Sequence, residues 1–294
     1  MKVLITGANG FLGQYLCINL ANKGFEVIGV SRGDCKIINI QTIKYQAVDV
    51  TKKEEIDRII KDAKPDIIIH NAAMSKPDDC NNDKSECLLQ NVEATRYLVE
   101  ASERIGAYFI YVSTDFVFGE NGPHDENALP SPLNFYGESK WMAEKIVATS
   151  GLQSAIMRPV FIYGEVKKGM RSNFLYWVKT SLENNKPIKV VTDQQRTPTF
   201  VNDISDGIIA MIEKRVTGVF HLAGKDIVSP YDMAITVAKV LGLNASLIEP
   251  VTSETFIEPV LRAKRSGLKI DKARAVLGYN PVSFEEGVRL SFGL

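Results

Sequence analysis

"KVLITGANGFLG", residues 2–13, is the stretch on which the fold turns. Strand-favouring residues run straight into Gly7, Gly10 and Gly13, and the apolar spacing that follows suits a helix over 11–23. Glycine at such a turn removes the side chain that would keep the backbone away from a pyrophosphate. The helix start then offers unpaired N–H groups and the positive end of its dipole to that anion. The spacing is G-x-x-G-x-x-G instead of G-x-G-x-x-G, and glycines alone also suit a plain tight turn. Strand before and helix after convert the match into a dinucleotide cradle, with Gly7, Asn9, Gly10, Phe11, Leu12 and Gly13 around the phosphates.

Outward from that turn, β-rich runs alternate with helical patterns. Strands are expected at 2–6, 26–30, 44–48, 66–70, 107–113 and 154–158, and helices near 11–23, 52–63, 86–105 and 136–149. Several of the strands are continuously apolar, as "DIIIH" (66–70) is, which points to a parallel sheet covered on both faces. The alternation implies right-handed crossovers and an α/β, Rossmann-type doubly wound sheet. Past residue 158 the pattern loosens, and Pro187, Pro198, Pro230, Pro250, Pro259 and Pro281 punctuate shorter elements. The expected layout is a dinucleotide-binding domain over 1–158, with part of roughly 192–224. A smaller C-terminal substrate-binding domain covers 159–191 and roughly 225–294.

The chain has 294 residues, 45% of them hydrophobic, enough for one large domain or two smaller ones. Lys+Arg and Asp+Glu both number 35, and with no long basic run this argues against nucleic acid or a membrane surface as partner. No segment approaches the roughly 20 apolar residues of a membrane span, and the opening apolar run is too short for a signal peptide. Cys17, Cys35, Cys80 and Cys87 lack C-x-x-C spacing, which disfavours a disulfide framework or a metal site. A cytoplasmic protein is expected.

The second strand bears on the cofactor. A carboxylate near its end would bind a ribose 2′-hydroxyl and favour NAD. Here it ends "VSRGD" (30–34), and Ser31 with Arg32 can hold a 2′-phosphate, so NADPH is expected, with NADH as the alternative. Asp34 is near enough to compete, and a solvated turn is the other reading. Asp49 and Val50 follow the third strand as an adenine-side contact. "HNAA" (70–73) closes the fourth with the small residues Asn71, Ala72 and Ala73, as a dinucleotide across the strand ends requires. His70 reads as a structural donor.

"YVSTDFVFG" (111–119) puts polar Ser113-Thr114-Asp115 at the end of a buried strand, and "NFYGESK" (134–140) follows. Tyr136 and Lys140 are four apart, so on a helix they share one face. A phenol has a pKa near 10 in water, and a neighbouring ammonium would draw it toward neutrality. Thr114 would then hydrogen-bond a substrate oxygen. Tyr-x-x-x-Lys alone arises by chance on surface helices; behind a glycine turn and a polar strand end it points to proton transfer.

With these motifs in hand, the chain resembles the extended short-chain dehydrogenases/reductases and is most similar to the dTDP-4-dehydrorhamnose reductases. The likeness runs through "TGANGFLG", "PDIIIHNAA", "YVSTDFVFGENGPHDENALPSPLNFYGESKWMAEK", "RPVFIYG", "DQQRTPT", "FHLAG" and "RAKRSGLKIDKAR". It implies Thr114, Tyr136 and Lys140 as catalytic residues, with Lys140 also binding the nicotinamide ribose. Asp115, Phe161, Asn173, Arg196 and Arg262 are implied on the substrate side. Related 4,6-dehydratases carry Thr-Asp-Glu where this chain has Thr114-Asp115-Phe116, and phenylalanine transfers no proton, which favours a reductase. The chain departs from the reductases at Arg196-Thr197-Pro198-Thr199, where Gly-x-Pro-Thr is usual. It also carries Arg262-Ala263-Lys264-Arg265-Ser266 in place of Arg-Pro-x-Asn-Ser. Some members bind magnesium through carboxylates at a dimer interface, but Tyr15 stands at that position, so no metal is expected, and the chain is expected to be a monomer or homodimer. The implied activity is NADPH-dependent reduction of the 4-keto group of a nucleotide-linked deoxysugar. Two alternatives stand: a reductase or epimerase for another nucleotide keto-sugar, and a non-catalytic NADP-binding subunit like the methionine adenosyltransferase β subunit.

Overall fold

The computed structural model describes residues 1–37, 42–167, 169–256 and 259–294. Its strands are β1 (Lys2–Thr6), β2 (Glu26–Ser31), β3 (Ile43–Ala47), β4 (Ile67–His70), β5 (Tyr108–Val112), β6 (Ser154–Arg158), β7 (Ile162–Tyr163), β8 (Ile188–Val191), β9 (Thr199–Phe200), β10 (Gly218–His221) and β11 (Ile248–Val251). The helices are α1 (Phe11–Asn22), α2 (Lys53–Ala63), α3 (Pro77–Asn82), α4 (Lys84–Leu88), α5 (Ala94–Glu103), α6 (Phe135–Ala148), α7 (Phe174–Glu183), α8 (Val201–Lys214), α9 (Pro230–Leu241), α10 (Asp271–Leu277) and α11 (Phe284–Ser291).

A seven-stranded sheet runs β10-β6-β5-β4-β1-β2-β3, every pair parallel. Its apolar strands sort by residue parity. Val3, Ile5, Ile67, Ile69, Tyr108 and Ile110 face a core completed by α1 and α8. Leu4, Ile68, Phe109 and Tyr111 face the other side, against α2, α5 and α6. Each fully buried aliphatic side chain contributes about 1.5–3 kcal/mol, so strands with both faces covered hold the register firmly. From β1 the chain winds to β2 and β3 on one side, and β4 returns to the other. That reversal opens a crevice at the carboxyl ends of β1 and β4, where doubly wound sheets place their ligands.

A third core joins α7, α9 and α11 to the short ladders β11–β8 and β7–β9. Here Pro230 sits in the first turn of α9 behind a Ser229–Asp232 capping box, a position where its missing N–H costs nothing. The element placed furthest from expectation is the helix over 86–105. It is interrupted: α4 and α5 are joined by a π-helical turn, Leu89–Glu93. Asn91 lies in that turn with its side chain directed away from the helix, accepting from Met74 N at 2.8 Å and donating to Ser139 Oγ at 2.9 Å. Periodicity alone does not reveal an inserted residue of this kind.

Candidate active site

Thr6 anchors the crevice. Its Oγ1 accepts from Asn71 N and Ala72 N, both at 3.0 Å, so its own proton goes to His70 Nδ1 at 2.8 Å. His70 Nε2–H then donates to Thr95 Oγ1 at 3.0 Å, and Thr95 to Asn91 O at 2.7 Å. Burial, with the Lys140 charge adding, pushes His70 down to about 3, so the ring stays neutral and acts as a spacer. The glycines fit a close ligand. Gly7 has φ +69, and a Cβ on it would lie 2.9 Å from Ala72 Cα; on Gly13 it would lie 2.1 Å from Gly7 O. The first glycine therefore keeps the turn open, and the last packs the helix onto it.

These elements line a cleft of about 590 Å³. Gly7, Gly10, Phe11 and Leu12 form its floor with Asn71, Ala72 and Ala73; Ser31, Arg32, Asp49 and Val50 form one end. Thr114, Asp115, Tyr136 and Lys140 form the middle, and Phe161 and Asn173 the far end. Asn9 and Gly13 do not line it. The Asn9 side chain bonds instead to the loop after β2, and Gly13 lies behind the turn. Although burial alone would raise Asp49, hydrogen bonds from Thr51 and the charges of Arg32 and Lys52 hold it below the usual carboxylate range. Arg196 and Arg262 line an adjoining hollow that shares Asp115 and Phe116 with the cleft. Arg262 Nη2 grips Asp78 at 3.0 and 3.1 Å, while Arg196 lies over the Phe161 ring at 5.6 Å and donates to Gln194.

Tyr136 and Lys140 are buried on α6, which Asn134 caps by accepting from Gly137 N at 3.1 Å. Lys140 Nζ donates to Val112 O at 2.7 Å and stands 4.2 Å over the Tyr111 ring. Burial pushes the lysine down to about 7, against the pull of Glu144 one turn on. The expectation that this ammonium draws the phenol down needs correction. Burial pushes Tyr136 well up, a hydrogen bond with Thr114 opposes it, and Asp115 with the Cys80 and Cys87 thiols adds to the rise. The four-residue spacing puts both groups on one face, but the ammonium is directed at a main-chain carbonyl. Phe116 packs edge-on to Tyr136 at 5.5 Å, closing that side with a ring that carries no proton.

Residues the sequence reading passed over also line the cleft: Thr51, Ser75, Gln90, Ser113, Arg171 and Ser172. Ser113 is the most telling, because its buried Oγ has no hydrogen-bond partner among the described residues. A buried hydroxyl left so is costly unless a ligand engages it, and its place in "STD" beside Thr114 was the available signal. Phe161 has φ +36, a left-handed backbone that a bulky residue adopts only at a cost of about 1–2 kcal/mol. Glycine turn, Arg32 guanidinium and orphaned Ser113 line one cleft, a donor set that fits a phosphorylated dinucleotide. Among the described residues no group of three His, Cys, Asp or Glu could hold a metal ion, and no helix is long and apolar enough to cross a membrane.

The family model described as the RmlD substrate binding domain matches residues 1–292. Methionine adenosyltransferase 2 subunit beta of Rattus norvegicus is 33% identical, over 90% of this chain and 78% of that protein. A dTDP-4-dehydrorhamnose reductase of Aggregatibacter actinomycetemcomitans is 29% identical, over 98% and 97%. Among solved structures, the dTDP-4-dehydrorhamnose reductase of Bacillus anthracis in complex with NADP superposes with a TM-score of 0.87 at 27% identity, over 99% of this chain and 98% of that one.

Proposed function

The chain belongs to the RmlD substrate-binding-domain family, and from that membership we propose that it is an NADPH-dependent reductase of a nucleotide-linked 4-keto-deoxysugar, dTDP-4-dehydrorhamnose foremost. The observation that carries this reading is the convergence of Thr114, Tyr136 and Lys140 in the same cleft as the glycine turn and Arg32. Residues 1–158 with roughly 192–224 would hold the cofactor, and 159–191 with roughly 225–294 the sugar nucleotide. NADPH, when bound, supplies the hydride that adds to the keto carbon.

The protein's own part is binding and proton delivery. Gly7, Gly10, Phe11 and Leu12 receive the pyrophosphate, Ser31 and Arg32 the 2′-phosphate, and Asp49 and Val50 the adenine side. Thr114 orients the keto oxygen, and Tyr136 donates the proton that the developing alkoxide takes up. A phenol held above its ordinary range keeps that proton until the alkoxide forms, and the alkoxide is the stronger base. Lys140, still partly charged near neutrality, holds the nicotinamide ribose, and the Thr114 hydrogen bond stabilises the phenolate left behind. Asp115, Phe161, Asn173, Arg196 and Arg262 would bind the sugar and diphosphate, with the strained Phe161 fixing one wall. Phe116 leaves no second proton-transfer group at the position where an elimination would need one.

The test is loss of NADPH absorbance with dTDP-4-dehydrorhamnose, run beside GDP- and UDP-linked keto-sugars. Tyr136→Phe should retain NADPH binding and lose at least about a thousandfold in kcat; a fully active variant refutes the assignment. The 33% identity to the methionine adenosyltransferase β subunit sustains a second reading, an NADP-binding regulatory subunit. NADPH binding without turnover on any keto-sugar, together with a stable protein partner, would decide for it.

A further inference from the structure

We propose that Asn9 and Tyr45 select the phosphorylated dinucleotide without touching it, by fixing the loop after β2 so that Arg32 joins the cleft wall and Asp34 does not. The inference rests on the cofactor reading above and adds to it the part of the molecule that sets the choice between NADPH and NADH. Asn9 sits inside the glycine turn. Its Nδ2 donates to Asp34 O and to Tyr45 Oη, each at 2.9 Å, with Arg32 O also near at 3.3 Å, and its Oδ1 accepts from Lys36 N at 2.9 Å. Tyr45, on β3, directs its hydroxyl at Gly33 O, 2.7 Å away, with Ser31 O at 3.1 Å. Two half-buried side chains thus gather main-chain groups of five residues between Ser31 and Lys36.

The direction of that pull matters. That pull goes with the left-handed backbone of Gly33, φ +69, whose carbonyl meets Tyr45 while that of Asp34 meets Asn9. It leaves Ser31 and Arg32 lining the cleft, with Asp34 outside the lining. A guanidinium at the ribose end favours a 2′-phosphate through its fork of donors, whereas a carboxylate there would repel the phosphate and accept from a free 2′-hydroxyl. A loop released from its clamp could present either group. Fixing it beforehand removes ordering entropy from the binding step, to the benefit of the ligand that needs Arg32.

Equilibrium titration of NADPH and of NADH, with no sugar present, tests this on wild type, Asn9→Ala, Tyr45→Phe and Arg32→Ala. Wild type should prefer NADPH, and Arg32→Ala should reduce that preference by roughly a hundredfold. Asn9→Ala should reduce it by about tenfold and Tyr45→Phe by about threefold, chiefly by weakening NADPH, while NADH stays within about twofold. An unchanged ratio, or equal weakening of both dinucleotides, overturns the proposal, since mere support of the glycine turn would act on both alike. Should Asn9→Ala fail to fold, Tyr45→Phe, which loses one oxygen and keeps its ring, decides alone. Wild type binding neither dinucleotide would instead remove the cofactor reading itself.

Discussion

At the cofactor end of the cleft, Gly7 and Gly13 meet so closely that a methyl on one would lie 2.1 Å from the other's carbonyl oxygen. At the adjoining hollow, where a substrate is proposed to bind, Arg262 meets Asp78 across 184 positions of chain, and its segment is held by Asn134 Nδ2 on Leu261 O and by Glu120 on Lys264 N and Arg265 N. The first region is built from main chain and short sequence distance. The second is built from long side chains that must find one another. Crowded backbone tolerates no added atom, whereas paired side chains can lose a contact and leave the frame standing. Damage at the first end should therefore be all-or-none, and damage at the second graded and confined to one ligand.

Gly13→Ala is the severest test of that contrast. It should weaken NADPH at least about a hundredfold and lower the melting temperature, because no rotamer relieves a Cβ–carbonyl clash. NADPH titration and a melt check it, and binding within about threefold of wild type would break the contrast outright. Arg262→Gln comes next: KM for the nucleotide sugar should rise about 10- to 100-fold while the NADPH dissociation constant stays put. A loss shared by both ligands would mean that the two ends are not independent.

The smallest effect concerns Asp115, which lines both hollows. Burial raises its carboxyl to about 6, against the charge of Arg196 and the Thr114 hydrogen bond. Its folded pKa thus lies above the unfolded value, so between about pH 4 and 6 the fold holds a proton that the unfolded chain has released. The Asp115 contribution to stability should therefore fall as pH rises through that window, by at most about 3 kcal/mol, against the opposite trend of the buried, neutral His70. Asp115→Asn should remove that contribution, melting a few degrees above wild type at pH 7 but not at pH 4. Parallel melting curves against pH for the two proteins would refute the burial argument.

The same contrast explains how much could be read in advance. β1 lies where its residues predict, and β4 within one residue, because the continuous apolar runs Val3–Ile5 and Ile67–Ile69, bounded by polar residues, suit a covered parallel strand. Tyr136 and Lys140 share one face of α6 because their spacing fixes it, and Thr114 meets them because it follows directly on the end of β5. What stayed illegible depends on neighbours remote in sequence. The π-helical turn is fixed by Asn91 meeting Met74 and Ser139, and no window of residues 86–105 contains those partners. The rise of the Tyr136 pKa follows from burial, which four-residue spacing does not report. Arg262 reads as a phosphate ligand from its type, but its hold on Asp78 comes only with the fold.

One further connection runs through the interior. Arg158, at the end of β6, makes a buried pair with Glu144, Nε to Oε1 at 2.8 Å, and lies 3.4 Å from His221 Nε2 on β10. Glu144 is the carboxylate that keeps a proton on Lys140 against burial. The outermost strand of the sheet and the charge of the active-site ammonium thus depend on one guanidinium. Peeling β10 away would strip Arg158 of its cover, unseat Glu144 and let the lysine discharge near neutrality. Fraying at that margin would then register as lost turnover before the protein had globally unfolded.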